Sequence, residues 1–139
     1  MKKLLITYLS KTGKTKKYAE EINKYLSEKG INTAVISIED FDPILFKDVE
    51  GVLFGCWTDG LMLFLQHPDK PWVKFAKSLP DMKDKKVGMF TTYILATGSL
   101  FKKMNKYLDG KISENHLELK SKKGELSEND KILLDNFIK

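Results

Sequence analysis

The chain has 139 residues, with 24 basic against 19 acidic side chains and a formal net charge of +5, and every basic residue is lysine. Without arginine there is no rigid bidentate fork, which excludes phosphatases built on a Cys-plus-Arg cradle and weighs against sequence-reading nucleic-acid binders. Cys56, the sole cysteine, excludes an intrachain disulfide, a cysteine-built zinc site and an iron–sulfur cluster ligated by this chain alone.

A hydrophobic fraction of 42% suffices for one core without staples, so residues 1–139 are expected to form a single domain. The apolar stretch of the start, MKKLLITYLSK, ends at Leu9, short of an export signal, and no run approaches a membrane span. A reducing, cytoplasmic location is expected.

KLLITYL, residues 3 to 9, is a β-prone run that stops at SKTGKT, residues 10 to 15. Helical spacing follows over 16 to 29, with Tyr18, Ile22, Tyr25 and Leu26 on one face, Ala19 widening it and Gly30 placed as a C-cap. A second strand is predicted over NTAVISI, 32 to 38, then a loop at EDFDP and at most a short helix over 44 to 48. GVLFGC, 51 to 56, is continuously apolar, as a central strand covered by helices on both faces must be.

Residues 57 to 71 read as a loop with hydrophobic content, after which Trp72, Phe75, Ala76 and Leu79 form a helical face ended by Pro80. KVGMFTT, 86 to 92, is the next strand, and Leu100, Phe101, Met104, Tyr107 and Leu108 repeat at helical intervals. NHLELK, 115 to 120, alternates like a partly exposed edge strand. Ser127 is placed to cap a last helix with Glu128 and Asp130 in its first turn, and Ile132, Leu133, Phe137 and Ile138 are expected on its buried side.

Five strands alternating with helices predict an α/β three-layer sandwich around a parallel five-stranded sheet, in order 2-1-3-4-5 once crossovers are right-handed. Ligands of such sheets lie beyond the carboxyl ends of the strands near the order reversal. Here those ends are Ser10, Cys56 and Thr92.

The first loop combines the hydroxyls of Ser10, Thr12 and Thr15 with Gly13 and the cations Lys11 and Lys14, directly before a helix N-terminus. A phosphate monoester suits it; a capped helix start with solvated lysines is the plainer alternative. TGKT imitates the end of a nucleotide P-loop, but that pattern needs glycine where Tyr8 stands. In the second loop Trp57 precedes Thr58, Asp59 and Gly60, and in the third Tyr93 follows Thr92. Either ring can stack on a flat ligand or simply pack at the rim.

With these loops in place, the whole chain resembles the flavodoxin family, small carriers that bind flavin mononucleotide (FMN) and pass electrons between redox proteins. SKTGKT, residues 10 to 15, resembles the family's hydroxyl-rich phosphate loop, and FGCWTDG, residues 54 to 60, its tryptophan-bearing flavin loop. The resemblance implies that Ser10, Lys11, Thr12, Gly13, Lys14 and Thr15 hold the FMN phosphate. It further implies that Trp57 stacks on the ring, that Thr58, Asp59 and Gly60 lie beside flavin N5, and that Tyr93, after Thr92, covers the other face, with Trp72 as an alternative aromatic. Four features depart from the family: the net charge is basic, the phosphate loop carries lysines where many relatives use mostly neutral donors, LMLFLQHPDKP, residues 61 to 71, replaces a shorter polar link, and the third loop, TTYILATG, residues 91 to 98, lacks an obvious polar clamp.

The leading expectation is therefore an FMN-binding electron carrier with redox-protein donors and acceptors and no membrane insertion. The alternatives are an FMN-dependent reductase or quinone- or tetrapyrrole-related oxidoreductase on the same fold, with residues 61 to 65 as substrate wall, and a cofactor-free or lysine-rich nucleic-acid-binding module. Cys56, in an apolar strand, is expected to be a packed thiol rather than a nucleophile. Residues 31 to 69 hold one lysine against seven acids, so an acidic docking surface near the flavin edge is compatible with the basic total.

Overall fold

The computed structural model describes residues 1–59 and 67–139, and at Asp59 the backbone alone. The first β-prone run forms β1 (Lys3–Leu9), followed by α1 (Lys14–Glu28) and β2 (Asn32–Ser37). Two short 3-10 turns, Ile38–Asp40 and Pro43–Phe46, lead to β3 (Gly51–Asp59). Then come β4 (His67–Pro68), α2 (Lys70–Ser78), β5 (Lys86–Thr92), α3 (Leu100–Tyr107), β6 (Asn115–Ser121) and α4 (Glu128–Phe137).

The parallel strands lie in the order β2-β1-β3-β5-β6, with two-residue β4 pairing antiparallel to the end of β3. This is the expected 2-1-3-4-5 arrangement of a three-layer α/β sandwich. Its helices cover two separate cores. Tyr18, Ile22, Leu26, Leu134 and Phe137 from α1 and α4 pack on one face with Leu53 and Phe90. Trp72, Phe75, Leu100 and Met104 from α2 and α3 pack on the other with Phe54, Cys56 and Met89. Side chains alternate across a strand, which is why the continuous apolar run of β3 feeds both cores.

Helix ends follow local chemistry. At the end of α1 the Ile31 N–H reaches the Leu26 carbonyl at 3.1 Å and the Gly30 N–H that of Ser27 at 3.0 Å, with Gly30 at φ +85°. This paired closure needs a left-handed residue, which glycine supplies without strain.

Besides shifts of one or two residues at other element ends and the short β4 in a stretch expected to be loop, two expectations fail. β3 runs on through Trp57, Thr58 and Asp59 instead of stopping at Cys56, because Trp57 pairs with Thr92 and Thr58 with Pro68; completed backbone pairing outweighs the turn character of TDG. In α4, Ile132 is 60% exposed while Asp130, Leu134 and Phe137 are buried. The capping box turns Asp130 inward and sets the helical phase, so positions four and seven residues on face the core.

Candidate functional site

Sheet register assembles the predicted loops at one edge: Leu9 lies opposite Cys56, and Trp57 opposite Thr92. The chain leaves β1 at Ser10, whose Oγ accepts the Gly13 N–H at 3.0 Å and the Lys16 N–H at 3.3 Å. Gly13, at φ +90°, forms the left-handed step into α1. Lys11, Thr12, Gly13 and Lys14 are exposed, and the backbone amides of Thr12, Lys14 and Thr15 meet no acceptor among the described residues. The loop thus presents free N–H groups, a hydroxyl and two ammonium groups at the positive end of a helix, a donor set that suits a phosphate.

Thr15 and Thr92 sit beneath this loop rather than on it. Both are buried, and their hydroxyl oxygens lie 2.7 Å apart, which pins the first turn of α1 to the end of β5. Replacing either one with valine should destabilise the protein by about 1–3 kcal/mol by leaving the other hydroxyl buried without that partner. The double valine variant should recover part of this loss, as read from the non-additivity of denaturant midpoints.

Trp57 is half-buried; its indole N–H donates to Asp69 Oδ2 at 3.3 Å, and the Lys11 ammonium lies 4.6 Å from its ring centroid. This contact joins the loop after β1 to Trp57 through one side chain. Thr58 is buried, its hydroxyl 3.0 Å from that of Thr91, which in turn lies 2.5 Å from the Cys56 carbonyl. Tyr93 is half-buried, its N–H donating to the Ser121 carbonyl at 3.2 Å, with the Lys122 ammonium 5.9 Å from the ring centroid.

The predicted Gly60, the side chain of Asp59 and the 61 to 65 wall lie outside the described residues. Trp72 is fully buried and so offers no face to a surface ligand. Cys56 is buried and donates its S–H to the Trp57 carbonyl at 3.2 Å, as a packed thiol does. Among the described residues no helix is long and apolar enough to cross a membrane.

Sequence spacing did not disclose three contacts of this edge. Lys11 on Trp57, Lys122 on Tyr93 and Thr15 with Thr92 each join segments far apart in the chain. The last could have been suspected once two buried-edge threonines were placed at adjoining strand and helix ends.

The model of the family described as Flavodoxin matches residues 6–135. The solution structure of two-electron reduced Megasphaera elsdenii flavodoxin is similar at a TM-score of 0.76 and 20% identity, over 96% of this chain and 97% of that one. Oxidised Flavodoxin 1 from Bacillus cereus gives 0.74 and 19% identity, over 98% and 95%. The rubredoxin oxygen:oxidoreductase of Desulfovibrio gigas gives 0.67 and 16% identity over 97% of this chain but 34% of its own, so the same fold also occurs there within a longer chain. With the family model spanning nearly its whole length, on a sheet of this order and with these loops at its carboxyl edge, the chain belongs to the flavodoxin family.

Proposed function

We propose that the chain is an FMN-binding electron carrier that docks other redox proteins at the carboxyl edge of its sheet. Family membership supports the general FMN-linked electron-transfer role. The observation that carries the reading for this chain is the loop at Ser10 to Lys14, where exposed Thr12, Lys11 and Lys14 and unpaired amides lie at a helix N-terminus, the two lysines having no ion-pair partner among the described residues.

Ser10 shapes this loop, Gly13 permits it, and Thr12, Lys11 and Lys14 bind the phosphate. Thr15 and Thr92 act from below, holding the helix end in place. Trp57 and Tyr93 would flank the ring, and Lys11, which now lies over the Trp57 face, would hold the phosphate. The backbone of Thr58 and Asp59 would border the ring edge. Bound FMN supplies the reversible electron chemistry; the protein orients it, excludes water and sets the surrounding charge. No side chain is required as an acid or base.

Mixing the purified protein with FMN should give a saturable change in visible absorption and flavin fluorescence. Thr12→Val should weaken FMN about tenfold while leaving riboflavin unchanged, the loss expected for one hydrogen bond to a charged acceptor. No FMN uptake, or equal losses for both flavins, contradicts the placement. Rapid, saturable NADH oxidation by the loaded protein would identify a reductase instead.

A further inference from the structure

Large hydrophobic side chains exposed among the described residues are few: Ile44, Ile94, Leu95 and Ile132. Two of them are consecutive, in the loop directly after Tyr93, at 63% and 61% exposure. Burying neither costs hydrophobic free energy that a monomer could otherwise gain, so their joint exposure at the candidate cofactor edge calls for a partner.

The surroundings state the charge of that partner. The Tyr93 N–H ties this loop to the end of β6 through the Ser121 carbonyl, and exposed Lys122 and Lys123 follow at once. On the other side, a cavity of about 570 Å³ lined by Thr97, Gly98, Lys102, Glu118 and Lys120, among others, joins the loop to α3 and to the outer strand. Lys102, Lys120, Lys122 and Lys123 are all exposed and have no ion-pair partner among the described residues. Among the described residues lining the two hollows here, Glu118 accepts the Asn115 side-chain amide at 3.0 Å and Glu125 pairs with Lys17 at 3.6 Å.

The exposed acids Glu39, Asp40 and Asp42 instead follow β2, at the opposite end of the strand order. At the carboxyl edge the acids therefore lie beyond β2, while lysines lie in the loop after β1 and, on the side of the candidate ring site away from those acids, beyond β6.

We propose that the loop of residues 93–98 and the end of β6 form the docking surface for an acidic redox protein. Ile94 and Leu95 seat in an apolar patch on that protein, and Lys102, Lys120, Lys122 and Lys123 face the carboxylates around it. That the partner is a redox protein rests on the carrier reading; the polarity and position of the surface do not. Charge of one sign around an apolar centre steers encounter and fixes orientation, while the apolar contact holds the complex.

The test is a titration of isotope-labelled protein, with and without FMN, against an acidic blue-copper protein and separately against a basic c-type cytochrome, followed by backbone amide shifts. The acidic probe should shift amides of 94–98 and 120–123 saturably at about 20 mM salt and bind about tenfold more weakly at about 300 mM. Lys120→Glu with Lys123→Glu should abolish these shifts, Lys120→Arg with Lys123→Arg should keep them, and Leu95→Asn should weaken binding with its amide dispersion intact. Shifts elsewhere, no shifts, or capture of the basic probe by this surface overturn the proposal. If the acidic probe binds here while the chain takes up no FMN, the docking surface stands and the carrier reading fails; FMN uptake without such binding gives the reverse.

Discussion

Replacing Gly55 with alanine should cost the fold about 3 kcal/mol or more, the upper range for overpacking a well-filled core. Gly55 lies in the central strand, and a Cβ there would stand 2.1 Å from Phe90 Cζ and 2.2 Å from its Cε2. The ring cannot retreat freely. Phe90 is completely buried and meets Tyr18 edge-on, with centroids 5.8 Å apart at 87°, and Tyr18 is itself fully buried on the packed face of α1.

The clash must therefore be relieved by moving either the ring or the strand, and β3 is held by parallel partners on both sides. Denaturant unfolding should show a lower midpoint with an unchanged slope. Phe90→Leu introduced with Gly55→Ala should restore part of the loss by vacating the space the methyl group needs. A midpoint change equivalent to less than about 1 kcal/mol would show that the ring relocates cheaply. Gly30→Ala is a useful contrast: its Cβ would meet nothing within 4 Å, and its φ of +85° confines the penalty to backbone strain of about 1 kcal/mol.

Asp130→Ala should destabilise by about 2–4 kcal/mol, because one carboxylate serves two elements. Its Oδ2 accepts the buried Tyr18 hydroxyl at 2.7 Å and the Ser127 N–H at 3.1 Å. Ser127 Oγ returns the exchange by accepting the Asp130 N–H at 3.0 Å. Alanine removes half of the α4 capping box and leaves the Tyr18 hydroxyl buried without its acceptor. Asp130→Asn, which keeps a carbonyl oxygen in place, should lose substantially less.

The same contact makes stability pH-dependent on the alkaline side. Burial first, then the hydrogen bond and charge of Asp130, push the Tyr18 phenol far above the ordinary tyrosine value of 10.0. Above that value the unfolded chain releases this proton and the folded chain keeps it, so the unfolded state binds fewer protons and stability falls as pH rises. The contribution is fully present below pH 10. Tyr18→Phe should flatten the loss of stability measured between pH 9 and about 11, whereas an unchanged slope would assign alkaline unfolding to other groups.

Much of this architecture was legible because it rests on local periodicity. Tyr18, Ile22 and Leu26 must share a helical face, and an apolar run such as Gly51 to Cys56 has few places other than the middle of a covered sheet. Hydroxyls, glycine and lysines between β1 and α1 likewise specify an anion-favouring helix entrance by composition alone. The end of β3 and the buried face of α4 depart from the sequence expectation because a partner distant in sequence decides the outcome. Thr92 and Pro68 extend the strand, and Tyr18 draws Asp130 inward so that Ile132 turns outward.

The absence of arginine and the lysine-rich first loop were determined by the sequence itself, and with them the kind of phosphate contact available. So was the alternation that demands a parallel sheet, since backbone pairing and side-chain period follow from near neighbours. Only the tertiary structure decided which charges meet the site. It brought Lys11 over Trp57 and Lys122 over Tyr93, buried Thr15 against Thr92, and separated the acids after β2 from the lysines around β6. Strand order, not chain order, sets those distances, and electrostatic interaction depends on distance and solvent exposure rather than on position along the chain.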